Sequence, residues 1–179
     1  MKTIIFRLLI ALLILPAFLN CSSNSDDDPI TTECPDGYQG SNCTDEITPT
    51  RIKIHKIVIT SFPPATIDET GWDLSFGNPD IYIILDGPDG ETVNSLSWGV
   101  FENADSTLDY TYEFDNTYIE GVNSIHSIVL YDDDGLLGGE LMAQQFFTPY
   151  TSGQDFPTIL TITNSNSFFQ AKLYVTYEW

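Results

Sequence analysis

Between Tyr131 and Met142 the chain reads YDDDGLLGGELM, a strand end running into an acidic, glycine-rich loop. Asp132 and Asp134 stand two apart, and on an extended segment that spacing projects both carboxylates to one side, about 6–7 Å from each other. Two like charges at that distance repel by about 2 kcal/mol at an effective dielectric near 20, before salt screening. A single cation between them would remove that cost. Glu140 follows Asp134 after five intervening residues, so the loop has the form D-x-D-x5-E. Carboxylate oxygens on a flexible glycine-rich loop suit calcium far better than zinc or copper. An EF-hand register fails, because placing Asp134 and Gly135 at its fifth and sixth positions puts Leu130 and Leu141 where acidic ligands belong. A second acidic stretch, with Asp68, Asp73 and Asp80, would complete an oxygen cluster if the two loops met at one tip. The plain alternative is a pair of hydrophilic turns between strands.

The elements that must hold these loops are strands. From Arg51 onward, short apolar runs alternate with Gly, Pro, Asn and Asp, the pattern of an all-β antiparallel sandwich. The pattern predicts strands over Arg51–Thr60, Asp80–Leu85, Ser95–Phe101, Tyr110–Phe114, Ser124–Tyr131, Leu141–Phe147, Thr158–Thr163 and Phe168–Trp179. The last has the clearest two-residue period: Phe169, Ala171, Leu173, Val175, Tyr177 and Trp179 share one face, and Gln170, Lys172, Thr176 and Glu178 the other. In the first, the apolar parity changes between Ile52 and Ile54 and the later Ile57 and Ile59, which predicts a bulge near His55 and Lys56.

The start of the chain carries a different kind of chemistry. Lys2 and Arg7 precede an apolar run from Leu8 to Leu19, interrupted at Pro16 and too short to span a bilayer comfortably. That is a signal segment, residues 1–20, and the Phe18-Leu19-Asn20-Cys21 step that ends it resembles the lipobox of bacterial lipoproteins, which implies lipid attachment at Cys21. Three cysteines leave one unpaired in an exported chain; lipidation of Cys21 accounts for it and leaves Cys34 and Cys43 as a pair. Residues 21–33, which include Asp26, Asp27 and Asp28, read as an acidic tether, and the run after the cysteine resembles the export signal of surface-displayed Gram-negative lipoproteins. The expected location is the outer membrane or cell surface, with the membrane itself as a partner through the anchor.

With Lys2 and Arg7 removed, four basic side chains face 26 acidic ones, a formal charge of −22. Such a surface repels nucleic acid, which is excluded as a partner, and favours divalent cations. It also serves plain solubility.

The segment CPDGYQGSNC, residues 34–43, resembles the last disulfide loop of an EGF-like module, with Gly37 and Gly40 placed for positive φ. It covers only that loop and is expected to act as a stiff spacer, followed by a linker over residues 44–50 and one domain over 51–179. That domain resembles a C-two domain, the calcium- and phospholipid-binding β-sandwich. The resemblance rests on Asp68-Glu-Thr-Gly71-Trp-Asp73, then Pro79-Asp80-Ile-Tyr82, and on Asp132, Asp134 and Glu140. It implies calcium held by Asp68, Asp73, Asp80, Asp132, Asp134 and Glu140. The family's basic lipid-binding strand has no counterpart, and the last ligand is Glu in place of Asp.

No enzyme signature accompanies these loops. His55 and His126 each fall inside a predicted strand, and there is no G-x-S-x-G, no H-E-x-x-H and no phosphate-binding glycine loop. The expectation is a noncatalytic binding or structural module with a glycan or protein ligand at the cell surface. A metal-free alternative is a glycan platform built from Trp72, Trp98, Trp179 and some of the nine tyrosines.

Overall fold

The computed structural model describes residues 33–66, 71–72, 77–94, 99–135, 139–163 and 168–179. Cys34–Trp179 forms one compact unit, separate from Met1–Glu33. The expected signal segment, Cys21 and the expected acidic tether up to residue 32 lie outside the described residues, as do Asp68, Asp73 and Trp98.

In chain order the described strands are β1 (Tyr38–Gln39), β2 (Asp45–Glu46), β3 (Arg51–Ser61), β4 (Ile81–Asp86), β5 (Thr92–Asn94), β6 (Tyr110–Ile119), β7 (His126–Asp133), β8 (Gly139–Phe147), β9 (Ile159–Thr163) and β10 (Gln170–Glu178). Two four-stranded sheets, ordered β6-β3-β10-β9 and β5-β4-β7-β8, are antiparallel throughout. Their inner faces share one core, so the chain is an antiparallel β-sandwich. Alternation decides which side chains enter it: Ile52, Ile54, Ile57 and Ile59 from β3 meet Ile81, Ile83 and Leu85 from β4 and Ile128 and Leu130 from β7. Phe169, Ala171, Leu173, Val175 and Tyr177 are all buried, as the period of the last strand requires, while Trp179 at its end is 41% exposed.

The parity change in β3 has the expected cause. Ile54 pairs with Val175 and Lys56 with the adjacent Tyr174, so His55 is the extra residue of a bulge against β10. Opposite it, β6 is irregular as well, with Ile54 facing Thr117 and Lys56 facing Glu113. This irregularity lets β6 run on to Ile119, beyond the Phe114 limit that its polar Asp115-Asn116-Thr117 step suggests. The predicted strand over Ser95–Phe101 is displaced: β5 lies earlier, at Thr92–Asn94, residues 95–98 are outside the described set, and Phe101 makes a single bridge to Ile81.

Aromatic side chains tie the sheets together. The Tyr112 hydroxyl on β6 donates to the Ile81 carbonyl on β4 at 3.1 Å, and the Phe101 ring packs against Tyr110 and Tyr112. Burial, more than the neighbouring Tyr150, pushes the Tyr177 phenol up to about 12, and burial raises Tyr112 further. A phenol whose folded pKa lies above its unfolded value of about 10 stabilises the fold fully below that pH, and the contribution is lost as pH rises through the folded value. Absorbance titration of phenolate should therefore show these two of the nine tyrosines ionising last, together with unfolding. Ionisation of all of them near pH 10 in the folded chain would contradict this burial.

Candidate functional site

Strand register sorts the acidic residues by end of the sandwich. Ile81 pairs with Asp132 and Asp86 with Ser127, so β4 begins where β7 finishes. Asp80, Asp132, Asp133, Asp134 and Glu140 consequently gather at one end, here the acidic pole. The two loops meet through main-chain bonds: the Asp133 N–H donates to the Asp80 carbonyl at 2.8 Å, and the Asp80 N–H donates to Oδ1 of Asp132 at 2.7 Å.

The carboxylates are used differently from one another. Asp132 continues the inward row of Ile128 and Leu130 and is 0% exposed, a carboxyl group set among core positions and bonded to a backbone amide. Asp80 turns its Oδ1 to the Asn103 N–H at 2.7 Å, securing a loop in which Asn103 has φ of 51°. Asp133, which the sequence pattern does not single out, accepts the Gly135 N–H at 3.0 Å, with Gly135 at φ of 63°. Asp134 lies past the end of β7 and is exposed; Glu140 stands across from Asp132 on the edge strand β8 and is also exposed. Thus Asp132 and Asp134 share a parity but not an environment. Among the described residues no three of His, Cys, Asp and Glu are grouped so as to hold a metal ion. The described oxygens share a pole without closing a calcium site.

The opposite pole is fixed by the disulfide loop. Cys34 and Cys43 are bonded with Cα atoms 5.2 Å apart, and Gly37 and Gly40 both take φ of 86°. Where the sequence suggests a spacer, the loop is docked. Tyr38 lies edge-on to Phe156 and its hydroxyl donates to Asp155 at 3.0 Å. Glu46 accepts the Gly153 N–H at 2.6 Å, and the Trp179 indole donates to the Ile47 carbonyl at 3.2 Å. Phe156 in turn contacts Tyr150, Tyr177 and Trp179, so five aromatic rings close this end. Ile119 pairs with Ile52 here and Tyr110 with Ile59 at the other end, so these pairs are separated by the seven residue steps of β3 between them, about 20 Å.

A cleft of about 410 Å³ also opens at this pole, lined by the β4–β5 turn, Tyr118, Glu120, Gly121 and His126. His126 is 1% exposed, with Nε2 3.2 Å from the Gly121 carbonyl and its ring against Phe147. His55, on the outer surface, lies with Nε2 2.6 Å from the Thr176 hydroxyl. The tryptophans form no common platform among the described residues: Trp72 packs against the core and donates to the Pro63 carbonyl at 2.9 Å, and Trp179 belongs to the docked loop.

No family model matches the chain, and no curated protein does. Among solved structures, the C-two A domain of a plant extended synaptotagmin 1 is similar at 12% identity, covering 73% of this chain and 96% of that one with a TM-score of 0.42.

Proposed function

We propose that this chain is a noncatalytic, lipid-anchored binding module of the outer membrane or cell surface that presents its acidic pole away from the membrane. The observation that carries the reading is the separation of the poles. The residues that follow the lipidation candidate Cys21 and its tether enter the sandwich at Cys34, and the docked loop fixes that point at the Trp179 end. Asp80, Asp133, Asp134 and Glu140 lie at the other end. An anchor at one pole leaves the other exposed to whatever the protein binds.

Calcium is the cation whose ligand preferences match the exposed oxygens of Asp134 and Glu140 with their neighbours. Because the described carboxylates do not close a site, binding through them alone is expected to be weak. Calcium at millimolar concentration should raise the melting temperature of the full chain by roughly 3–6 °C, the response to about 1 kcal/mol of linkage. Asp134→Asn with Glu140→Gln should abolish the rise while leaving the metal-free melting temperature in place. A rise that survives the double variant removes this pole as the cation site. Absence of any rise or heat of binding removes calcium.

A further inference from the structure

We infer that the cleft between the β4–β5 turn and the end of β6 binds a primary-amine cation, an alkylammonium group on an apolar stem. Two walls make this cleft. One is the turn over residues 87–91, closed by the Gly87 N–H donating to the Glu91 carbonyl at 2.8 Å, which carries Asp89 and Glu91. The other is the end of β6 with Tyr118, followed by Glu120 and Gly121. The walls approach where Gly121, at φ of 60°, faces Pro88: a Cβ there would stand 3.3 Å from the Pro88 ring. The space they enclose, about 410 Å³, falls in the range of small-molecule sites.

The side chains that this cleft leaves uncommitted are acceptors. Asp89, Glu91 and Glu120 are exposed and, among the described residues, form no ion pair. No basic residue lines the cleft. Arg51 lies over the Tyr118 ring at 4.3 Å and feels the charge of Glu120, but Glu178 holds it at 2.6 Å; Lys53 lies 6.0 Å from the same ring. Exposed acids by themselves would be ordinary solvated groups. His126 sets these apart. It belongs to the lining yet is 1% exposed, so it forms the inner wall. Its Nε2 lies 3.2 Å from the Gly121 carbonyl, which can only accept, so in the neutral ring the proton sits on Nε2 and Nδ1 keeps its lone pair. That Nδ1 is buried with no hydrogen-bond partner among the described residues. A buried acceptor without a donor is costly, and a donor entering the cleft would relieve it.

These groups select the ligand. A deep acceptor behind a rim of three carboxylates calls for a positive charge that carries N–H bonds, and a chain of formal charge −20 draws cations toward it. A bare metal ion is disfavoured, because among the described residues no three such groups converge on one point. The acids stand on separate elements rather than as a paired fork, which suits a compact ammonium on a flexible stem better than a planar guanidinium. Tyr118, Val93 and Pro88 supply apolar surface for that stem. A free diamine and a lysine side chain of a polypeptide share this chemistry. The inference is independent of the calcium reading, since it uses the other end of the sandwich and no metal.

The test titrates the full chain, in chelator, with cadaverine and with Nα-acetyl-lysine amide. Tetramethylammonium, a cation without N–H bonds, and pentanol, a neutral stem, serve as controls. At least one amine should bind about tenfold or more tighter than either control, and the tighter of the two identifies the source, free diamine or side chain. Asp89→Asn/Glu91→Gln/Glu120→Gln should weaken amine binding about tenfold or more, whereas Glu102→Gln/Asp109→Asn/Glu113→Gln, which removes as many charges away from the cleft, should change it by less than about threefold. In NMR spectra the imidazole signals of His126 should move with added amine while those of His55 on the outer surface stay in place. Tetramethylammonium binding as tightly as the amines, equal weakening by the two triple variants, or no His126 shift at about 10 mM amine would overturn the inference.

Discussion

Asp132→Ala should cost about 3 kcal/mol or more of stability, while Asp134→Asn, two residues on, should change it by less than about 0.5 kcal/mol. The difference follows from where β7 stops. Asp132 is the last inward-facing position of the strand, fully buried beside Ile81, and its Oδ1 receives the Asp80 N–H at 2.7 Å. Truncation leaves that amide without its acceptor, a loss of about 1–3 kcal/mol, and opens a cavity at the end of the core. The bond also holds the loop from which Asp80 reaches the Asn103 amide, so the effect should spread to the turn before β6. Asp132→Asn keeps an oxygen that can accept the amide and should be milder than alanine. Urea titration with an unchanged slope would measure all three variants. Should Asp132→Ala prove no worse than Asp134→Asn, the buried carboxylate is not what joins these two loops.

That contrast marks where sequence reasoning stops. The two-residue period places Asp132 and Asp134 on the same side but does not say whether that side is core or solvent, nor where the strand ends. Both facts depend on Ile81 pairing with Asp132 across a gap of 51 residues. By comparison, β10 is legible because its alternation is complete over its whole length, and the bulge at His55 is legible because a parity change along one strand admits few other causes. The disulfide loop is half legible. Its glycines announce positive φ, but its docking relies on Tyr38 meeting Asp155 and Ile47 meeting Trp179, partners more than 100 residues away that no local pattern reveals. Pairwise register, then, is what local pattern lacks at both the acidic pole and the docked loop.

Gly37→Ala should remove about 2–4 kcal/mol, and the loss should be confined to the docked loop. Two costs combine at this residue. At φ of 86° an alanine pays about 1–2 kcal/mol for a left-handed backbone. Its Cβ would also press into the Phe156 ring and come within 2.8 Å of the Trp179 ring, and displacing packed rings costs about 1–3 kcal/mol. The total cannot exceed what docking contributes, because beyond that point the loop detaches and the sandwich remains. What would be given up is identifiable: the Tyr38 hydroxyl bond to Asp155, the Glu46 bond to Gly153 and the indole bond to Ile47. Gly90→Ala supplies the control, since Gly90 has φ of 73° but nothing within 4 Å of a Cβ. It should lose only the backbone part. Hydrogen exchange in Gly37→Ala should show the amides of Tyr38 and Ile47 released while those of β3 and β10 stay protected. If the two alanine variants are equally stable and the Ile47 amide remains protected, the loop is not wedged against Phe156, and the proposal of membrane-distal display would lose the fixed pole it depends on.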